Sequence, residues 1–253
     1  MIKDELEASG QSVALVSRSG IDLSRFGMRY SHAGISLKAS DNAPWSVRQL
    51  YYDCEQSRPR IYDQGVAGFV LGTDEPALGF VSIVFLPRAE AAALESAALD
   101  KRRALEMLDL HYSANAYPFS LRYQNCNQWV IELMATAWGA APGGAESRRQ
   151  AQDWLRSKGY QSSLFEVVWF PLIWWGELLP WLHTDDHPRE DLAQARFRVS
   201  MPASIEAFVH EQAPTASRVE ICHSATQVVV HRGWQPIDAG CSPAPGDRVF
   251  ELD

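Results

Sequence analysis

The sequence has no extended cluster of basic residues, although it contains 23 Lys and Arg. These residues are scattered among 31 acidic ones, and the formal net charge is −8 at pH 7. Broad contact with nucleic acid requires clustered Lys and Arg that neutralise phosphates. The charge pattern therefore predicts that nucleic acid is not a partner.

The sequence also has no apolar stretch in its first ten residues and no unbroken run of membrane-spanning length. Its opening, MIKDELEASG, is charged where a signal peptide has an apolar stretch of about 7–15 residues, so we expect no signal peptide here. The segment FEVVWFPLIWWGELLPWL approaches the roughly 20 residues of a membrane span, but Glu, Pro and Gly interrupt it. We predict no membrane span. Trp174 and Trp175 either cover the core or form an aromatic wall beside a groove.

Cysteine is scarce, with four residues in the chain. Cys222 and Cys241 flank HSATQVVVHRGW, which has the alternating pattern of a β-hairpin. Antiparallel strands can bring two flanking cysteines within bridging distance. The pattern leaves both a disulfide and two free thiols open.

No internal repeat or low-complexity tract divides the 253 residues, of which 46% are hydrophobic. A chain of this size can bury a substantial core. We predict a single domain over residues 1–253, with a core at about 20–140 and a C-terminal elaboration at about 141–253. The elaboration is expected to be a helix followed by the hairpin.

Three further elements follow from local pattern. FGMRYSHAGISL and WSVRQLYYDC alternate on either side of the turn-rich KASDNAP, which predicts a hairpin. The apolar run ALGFVSIVFLP predicts a buried strand. RAEAAALESAALDKRRALEMLDLHY predicts a helix with Leu94, Ala98, Leu105 and Leu108 in one buried stripe.

A second helix is predicted within RYQNCNQWVIELMATAWG. Its apolar stripe contains Cys126, Val130, Leu133 and Ala137. Asn125 is a good N-cap residue, which makes Cys126 the first helical position. A helix N-terminus lowers the pKa of a thiol and favours the nucleophilic thiolate. The alternative is that Cys126 is a small apolar residue of the core.

A cysteine nucleophile needs an imidazole to accept its proton and a polar side chain to orient the ring. His32 is the histidine on a strongly predicted strand, where it shares one face with Gly34 and Ser36. The alternative is a structural histidine that bonds to a neighbour.

The segment WLHTDDHPRED collects four residues of metal-binding types. Their spacing matches no defined site, and Pro180 and Pro188 bracket the segment. We predict a solvated loop, no metal and no cofactor. The four residues are His183, Asp185, Asp186 and His187.

The motifs SHAGISL, VRQL and NCNQWV, in that order, resemble the circularly permuted NlpC/p60 papain-like proteins, including the lecithin:retinol acyltransferase-like members. Over the whole chain, PWSVRQLYYDC, YDQGVAGF, YSANAY and SIEAFV resemble a bacterial family, domain of unknown function 2145. The resemblance implies an α+β fold with a papain-like core, in which an antiparallel sheet packs on helices, and with the C-terminal helix and β-hairpin as an extension.

The resemblance also implies roles. Cys126 would be the nucleophile, His32 the general base and Gln49 the orienting residue. Asp53 shares the face of Gln49 under strict alternation and remains the alternative orienter. Backbone N–H groups at the helix start would bind the oxyanion. Tyr123 and Asn125 would be substrate-binding donors. The alternatives are that Tyr123 only packs against its neighbours and that Asn125 only caps the helix.

The expected function is a cysteine hydrolase or acyl-transfer enzyme that forms a thioester on an amide or ester substrate. The substrate would be a small molecule, a peptide or a lipid. Family analogy favours the periplasm or cell envelope. One alternative is a catalytically inactive papain-like binding module of the bacterial cell envelope. Another is a disulfide-stabilised envelope interaction protein.

Overall fold

Alternating apolar residues build a large antiparallel sheet from segments that span nearly the whole chain. The computed structural model describes residues 1–72, 77–139, 146–167 and 181–252. The main sheet has the strand order β10-β9-β8-β5-β1-β2-β3-β4, and β6 pairs with β7 in a small second sheet. The strands are β1 (Val13–Arg18), β2 (His32–Leu37), β3 (Ser46–Asp53), β4 (Arg58–Gln64), β5 (Gly79–Phe85), β6 (Ser163–Glu166), β7 (Arg196–Val199), β8 (Ser217–His223), β9 (Gln227–Arg232) and β10 (Arg248–Glu251).

Helices cover the two faces of the main sheet unequally. The longer helices pack on one face. The two short helices nearest the N-terminus, Ile2–Ala8 and Val66–Val70, lie on the other. The described helices are α1 (Ile2–Ala8), α2 (Val66–Val70), α3 (Arg88–Leu99), α4 (Lys101–Glu106), α5 (Cys126–Trp138), α6 (Ser147–Ser157), α7 (Arg189–Ala193) and α8 (Pro202–Gln212). The fold is therefore α+β, with a large antiparallel sheet and helices, as predicted.

Strand alternation divides the core into two main clusters. On β1, Val13 and Leu15 point to the larger cluster, which contains Trp129 of α5. Ala14 and Val16 point to the opposite face, where the smaller cluster contains Phe69 of α2. This division sets which side chains of the neighbouring strand β2 face the long helices and which face α2.

The predicted elements form, with one correction. The hairpin of β2 and β3, the buried strand β5, and the C-terminal helix with its hairpin of β8 and β9 are all present. The predicted helix over 88–112 is divided at Asp100, whose side chain caps α4 by accepting from the N–H of Arg102. The break shifts the helical phase, so Leu105 is 58% exposed and the prediction of a continuous buried stripe is wrong.

The C-terminal elements extend the main sheet, because β8 pairs with β5. A disulfide joins Cys222 of β8 to Cys241 in the connection between β9 and β10, with a Cα–Cα distance of 5.8 Å. Trp174 and Trp175 lie outside the described residues. In the described ranges, no helix is both long enough and apolar enough to cross a membrane.

Candidate active site

The helix that carries the candidate nucleophile begins where the sequence predicts. The Asn125 side chain accepts a hydrogen bond of 2.7 Å from the N–H of Gln128, and Cys126 is the first helical residue. This cap leaves the N–H groups of Cys126 and Asn127 without an intrahelical partner. Both N–H groups lie close enough to the thiol to favour the thiolate and lower its pKa.

The residue after the thiol ties this helix end to the strand that carries His32. The Asn127 side-chain oxygen accepts from the N–H of Ala33 at 2.9 Å, and its nitrogen donates to the carbonyl of Ser31 at 3.1 Å. These two groups are the immediate backbone neighbours of His32. One amide side chain thus fixes the distance between the start of α5 and the start of β2.

The His32 ring contacts the Gln49 side chain. The ring Nε2 lies 2.5 Å from the Gln49 Oε1, and both side chains are buried. Gly34 allows this close approach of β2 and β3, because a Cβ there would overlap the Val47 side chain. Asp53, the alternative orienter, instead accepts from the N–H groups of residues 55 and 56 in the turn after β3.

The thiol and the ring lie against different parts of the core. Cys126 belongs to the larger cluster, whereas the His32 ring packs 5.8 Å from the ring of Phe69 in the smaller cluster. In the part of the chain that the structure describes, the hydrogen bond of the ring goes to Gln49 and none joins it to the thiol. Arg18, which pairs with His32 across β1 and β2, places its positive charge where it acts on both groups.

Burial decides the resting protonation of both groups. It lowers the pKa of His32 to about 4, with a further lowering from the Arg18 charge. It raises the pKa of Cys126 to about 11, although the helix-start N–H groups oppose this. The expectation that the helix N-terminus gives a low thiol pKa is therefore wrong here, because desolvation of the thiolate outweighs the hydrogen bonds. The resting pair is a neutral thiol and a neutral imidazole.

Tyr112 completes the surroundings of the sulfur. Its hydroxyl hydrogen-bonds to Cys126 and lowers the pKa of the thiol. Burial, followed by the Cys126 charge, raises the pKa of Tyr112 well above its ordinary value, so the hydroxyl keeps its proton and acts as a donor. The ring stacks on Tyr52 of β3 with centroids 4.9 Å apart. The Tyr112 backbone is bridged to Gln124, just before α5.

The predicted substrate-binding donors are engaged in local contacts. Besides its cap bond, Asn125 donates from Nδ2 to the carbonyls of Ala114 and Ser200 at 3.3 and 3.4 Å. Tyr123 stacks on His183 with ring centroids 4.4 Å apart, and its hydroxyl bonds to Asp185. These contacts account for both side chains, and their role in binding substrate stays a prediction.

The segment around residue 185 is less solvated than the sequence predicts. His187 is buried, and its Nε2 lies 2.7 Å from the carbonyl oxygen of Asn115. Asp186 accepts a hydrogen bond of 2.8 Å from the N–H of Tyr117. The prediction of a solvated loop is wrong for these two residues, because the segment packs on the chain before α5. Within the described residues, no three metal-ligand side chains converge.

Sequence reasoning missed Asn127, Arg18, Tyr112 and Gln64. Gln64 accepts a hydrogen bond of 2.7 Å from the Nε2 of Gln49. Asn127 alone had a local signal, since it is a polar residue directly after the candidate nucleophile on a predicted buried helix. The other three reach the site through strand pairing or from a loop, which no local spacing reveals.

Comparison with protein-family models gives one match over most of the chain. Residues 5–209 match the family described as "Uncharacterized protein conserved in bacteria (DUF2145)". The chain belongs to this family. The comparisons with curated proteins and with solved structures found no match. The DUF2145 match covers all of the residues named above for the candidate active site.

Proposed function

We propose that this member of DUF2145 is a cysteine hydrolase or acyltransferase that acts on an amide or ester through a thioester. Cys126 is the nucleophile, His32 the general base and Gln49 the orienting residue. The observation that carries the proposal is the Asn127 bridge, which ties the residue after the thiol to both neighbours of His32. The resemblance to circularly permuted NlpC/p60 proteins supports the same chemistry, a papain-like core and an envelope peptide or lipid as substrate.

The reaction begins from the neutral pair. His32 takes the proton of the thiol on the ring nitrogen that does not face Gln49, and the sulfur attacks the carbonyl carbon. The oxyanion accepts hydrogen bonds from the N–H groups at the start of α5 and from the Tyr112 hydroxyl. The intermediate then collapses, the leaving group departs with the proton from His32, and the acyl group stays on the sulfur. Water or an acyl acceptor attacks the thioester and restores the thiol.

The test is the formation and location of an acyl-enzyme. Because burial raises the pKa of Cys126, simple alkylation at neutral pH is expected to favour the exposed Cys54 over the candidate nucleophile. Activated esters with short acyl, fatty acyl or N-acylpeptidyl groups are therefore the better probes. Intact-mass and peptide analysis should find the acyl group on Cys126 in the native chain and in Cys54→Ser, and no such adduct in Cys126→Ala. An adduct confined to Cys54, or none with any ester, would contradict the proposal.

A second candidate function is an inactive binding module of the bacterial cell envelope. The observation that favours it is that the ring bonds to Gln49, while the thiol rests in a separate part of the core. This function predicts that the same acyl and peptidyl compounds bind without turnover. Calorimetry should then give equal affinities for the native chain and Cys126→Ala, with no acyl adduct in either.

A further inference from the structure

Gln64 continues the line of side chains that begins at His32. The Gln49 amide lies between them, with its oxygen 2.5 Å from His32 Nε2 and its nitrogen 2.7 Å from Gln64 Oε1. In the pairing of β3 with β4, Gln64 is opposite Val47, which places it beside Gln49 on the same face of the sheet. Its side chain lies over Gly68 of α2, where a Cβ would come within 2.9 Å of the amide nitrogen.

The two ends of an amide are chemically different, since the oxygen only accepts hydrogen bonds and the nitrogen only donates them. With its nitrogen donating to Gln64, Gln49 can present only its oxygen to the imidazole. A ring nitrogen that faces an acceptor must carry a proton, so the proton of neutral His32 belongs on Nε2. The lone pair is then on Nδ1.

We propose that Gln64 is a positioning residue that orients the Gln49 amide and thereby holds neutral His32 in the Nε2–H tautomer, with Nδ1 as its basic atom. The assignment of Nδ1 as the atom that takes the Cys126 proton rests on the proposed function. The tautomer itself does not, because it follows from the hydrogen bonds among three side chains. Gln64 acts through Gln49 and does not touch the ring.

Gln64 is exposed at the end of β4, so its end group can be exchanged without emptying the core. Gln64→Glu offers only acceptors and should keep the native orientation of Gln49. Gln64→Lys offers only donors and should turn the Gln49 amide, so that its nitrogen faces His32. The ring nitrogen facing Gln49 must then be the unprotonated one, which moves the proton to Nδ1. Gln161→Lys, at an exposed position before β6, is the control for the added charge.

The tautomer is read directly from two-bond ¹H–¹⁵N correlation spectra of histidine-labelled protein near pH 7, with the His32 signals assigned from their absence in His32→Gln. We expect the Nε2–H pattern in the native chain, in Gln64→Glu and in Gln161→Lys, and the Nδ1–H pattern in Gln64→Lys. The acylation rate of Gln64→Lys should fall about tenfold or more below that of Gln64→Glu, while Gln161→Lys stays close to the native rate.

Failure of this inference is separable from failure of the proposed function. An Nδ1–H pattern in the native chain, or an unchanged Nε2–H pattern in Gln64→Lys, would overturn the role of Gln64 even if Cys126 is acylated. The expected tautomers without any acyl-enzyme would leave Gln64 as the residue that orients Gln49 and would remove only the catalytic interpretation.

Discussion

At the scale of single residues, the site depends on burial more than on local charge. Cys126 and His32 are both buried, and removal from water disfavours the charged form of each. The Arg18 charge lowers the pKa of both groups, because it stabilises the thiolate of Cys126 and destabilises the imidazolium of His32. Under the proposed function, a proton transfer between them would create two charged groups in the core. The contact between the oxyanion and the start of α5 would offset that cost, and only during the reaction.

The lowered pKa of His32 predicts a loss of stability in mild acid. The unfolded chain protonates this histidine below about pH 6.5, whereas the folded chain resists protonation until about pH 4. Stability should therefore fall as the pH decreases from 6.5 towards 4, by up to roughly 3 kcal/mol from this residue. Urea unfolding of the native chain and of His32→Gln at several pH values between 4.5 and 7.5 measures the effect.

The comparison uses the pH dependence and not the absolute stability, so the other titrating groups cancel between the two proteins. Among them, Glu206 has a pKa raised by burial and contributes in the opposite sense. Unfolding free energies of His32→Gln should vary less steeply over this range. Equal slopes in the two proteins would show that His32 is not held neutral by the fold.

At the scale of elements, α5 is more deeply buried than a helix with one apolar stripe. Its residues are buried from Cys126 to Thr136, including the polar ones. Glu132 is fully buried and accepts hydrogen bonds of 2.6, 3.0 and 2.7 Å from three glutamine side chains, and Arg148 of α6 forms an ion pair with it at 2.8 Å. This network satisfies the polar side of the helix and fixes α5 against its surroundings.

Glu132→Leu should destabilise the protein by about 3 kcal/mol or more, because it leaves Arg148 and the glutamine donors buried without their shared acceptor. Chemical denaturation measures the loss. Glu106→Ala, which removes a surface pair with Arg102, is the matched control and should cost less than about 1 kcal/mol. A similar small cost for both variants would mean that the network does not stabilise α5.

Periodicity predicts the start of α5 correctly but misses the boundary between α3 and α4. The spacing of apolar residues and the Asn125 cap correctly predicted where α5 begins, because capping is a local interaction within one turn. The same reasoning extended one helix through Asp100, whose side chain instead caps a new helix. Whether such a residue interrupts or continues a helix depends on what its neighbours pack against.

At the scale of the whole molecule, one sheet joins strands of the predicted core to strands of the predicted C-terminal elaboration. β1 lies near its centre and pairs with both β2 and β5, while the C-terminal strands continue it beyond β5. The disulfide between Cys222 and Cys241 closes a loop over a sequence separation of 19 residues at this end of the sheet. It ties the connection between β9 and β10 to the C-terminal end of β8.

Removal of this disulfide should lower the melting temperature. A cross-link over a loop of this size stabilises by about 3 kcal/mol, which corresponds to roughly 6–12 °C for a domain of this length. Thermal unfolding with and without a reducing agent, together with Cys222→Ala/Cys241→Ala, measures the shift. Cys54→Ser should not move it, because Cys54 is a free thiol. A melting temperature that does not respond to reduction would contradict the prediction.

The sequence by itself determined the features that depend on neighbours a few positions apart. The hairpin of β2 and β3, the start of α5 and the position of Cys126 at its first turn all follow from periodicity, turn residues and capping. The pairing of His32 with Gln49 was expected from the family resemblance, and strand alternation left Asp53 as the alternative.

Only the tertiary structure decided the rest. The bridge from Asn127 to the neighbours of His32 spans 94 and 96 positions, and the reach of Gln64 into the site requires the register of β3 with β4. The direction of the pKa shift of Cys126 was predicted wrongly. The helix N-terminus is visible in the sequence, but the packing that removes the thiol from water is not. Desolvation depends on every segment that packs around a group, and that packing exists only in the folded chain.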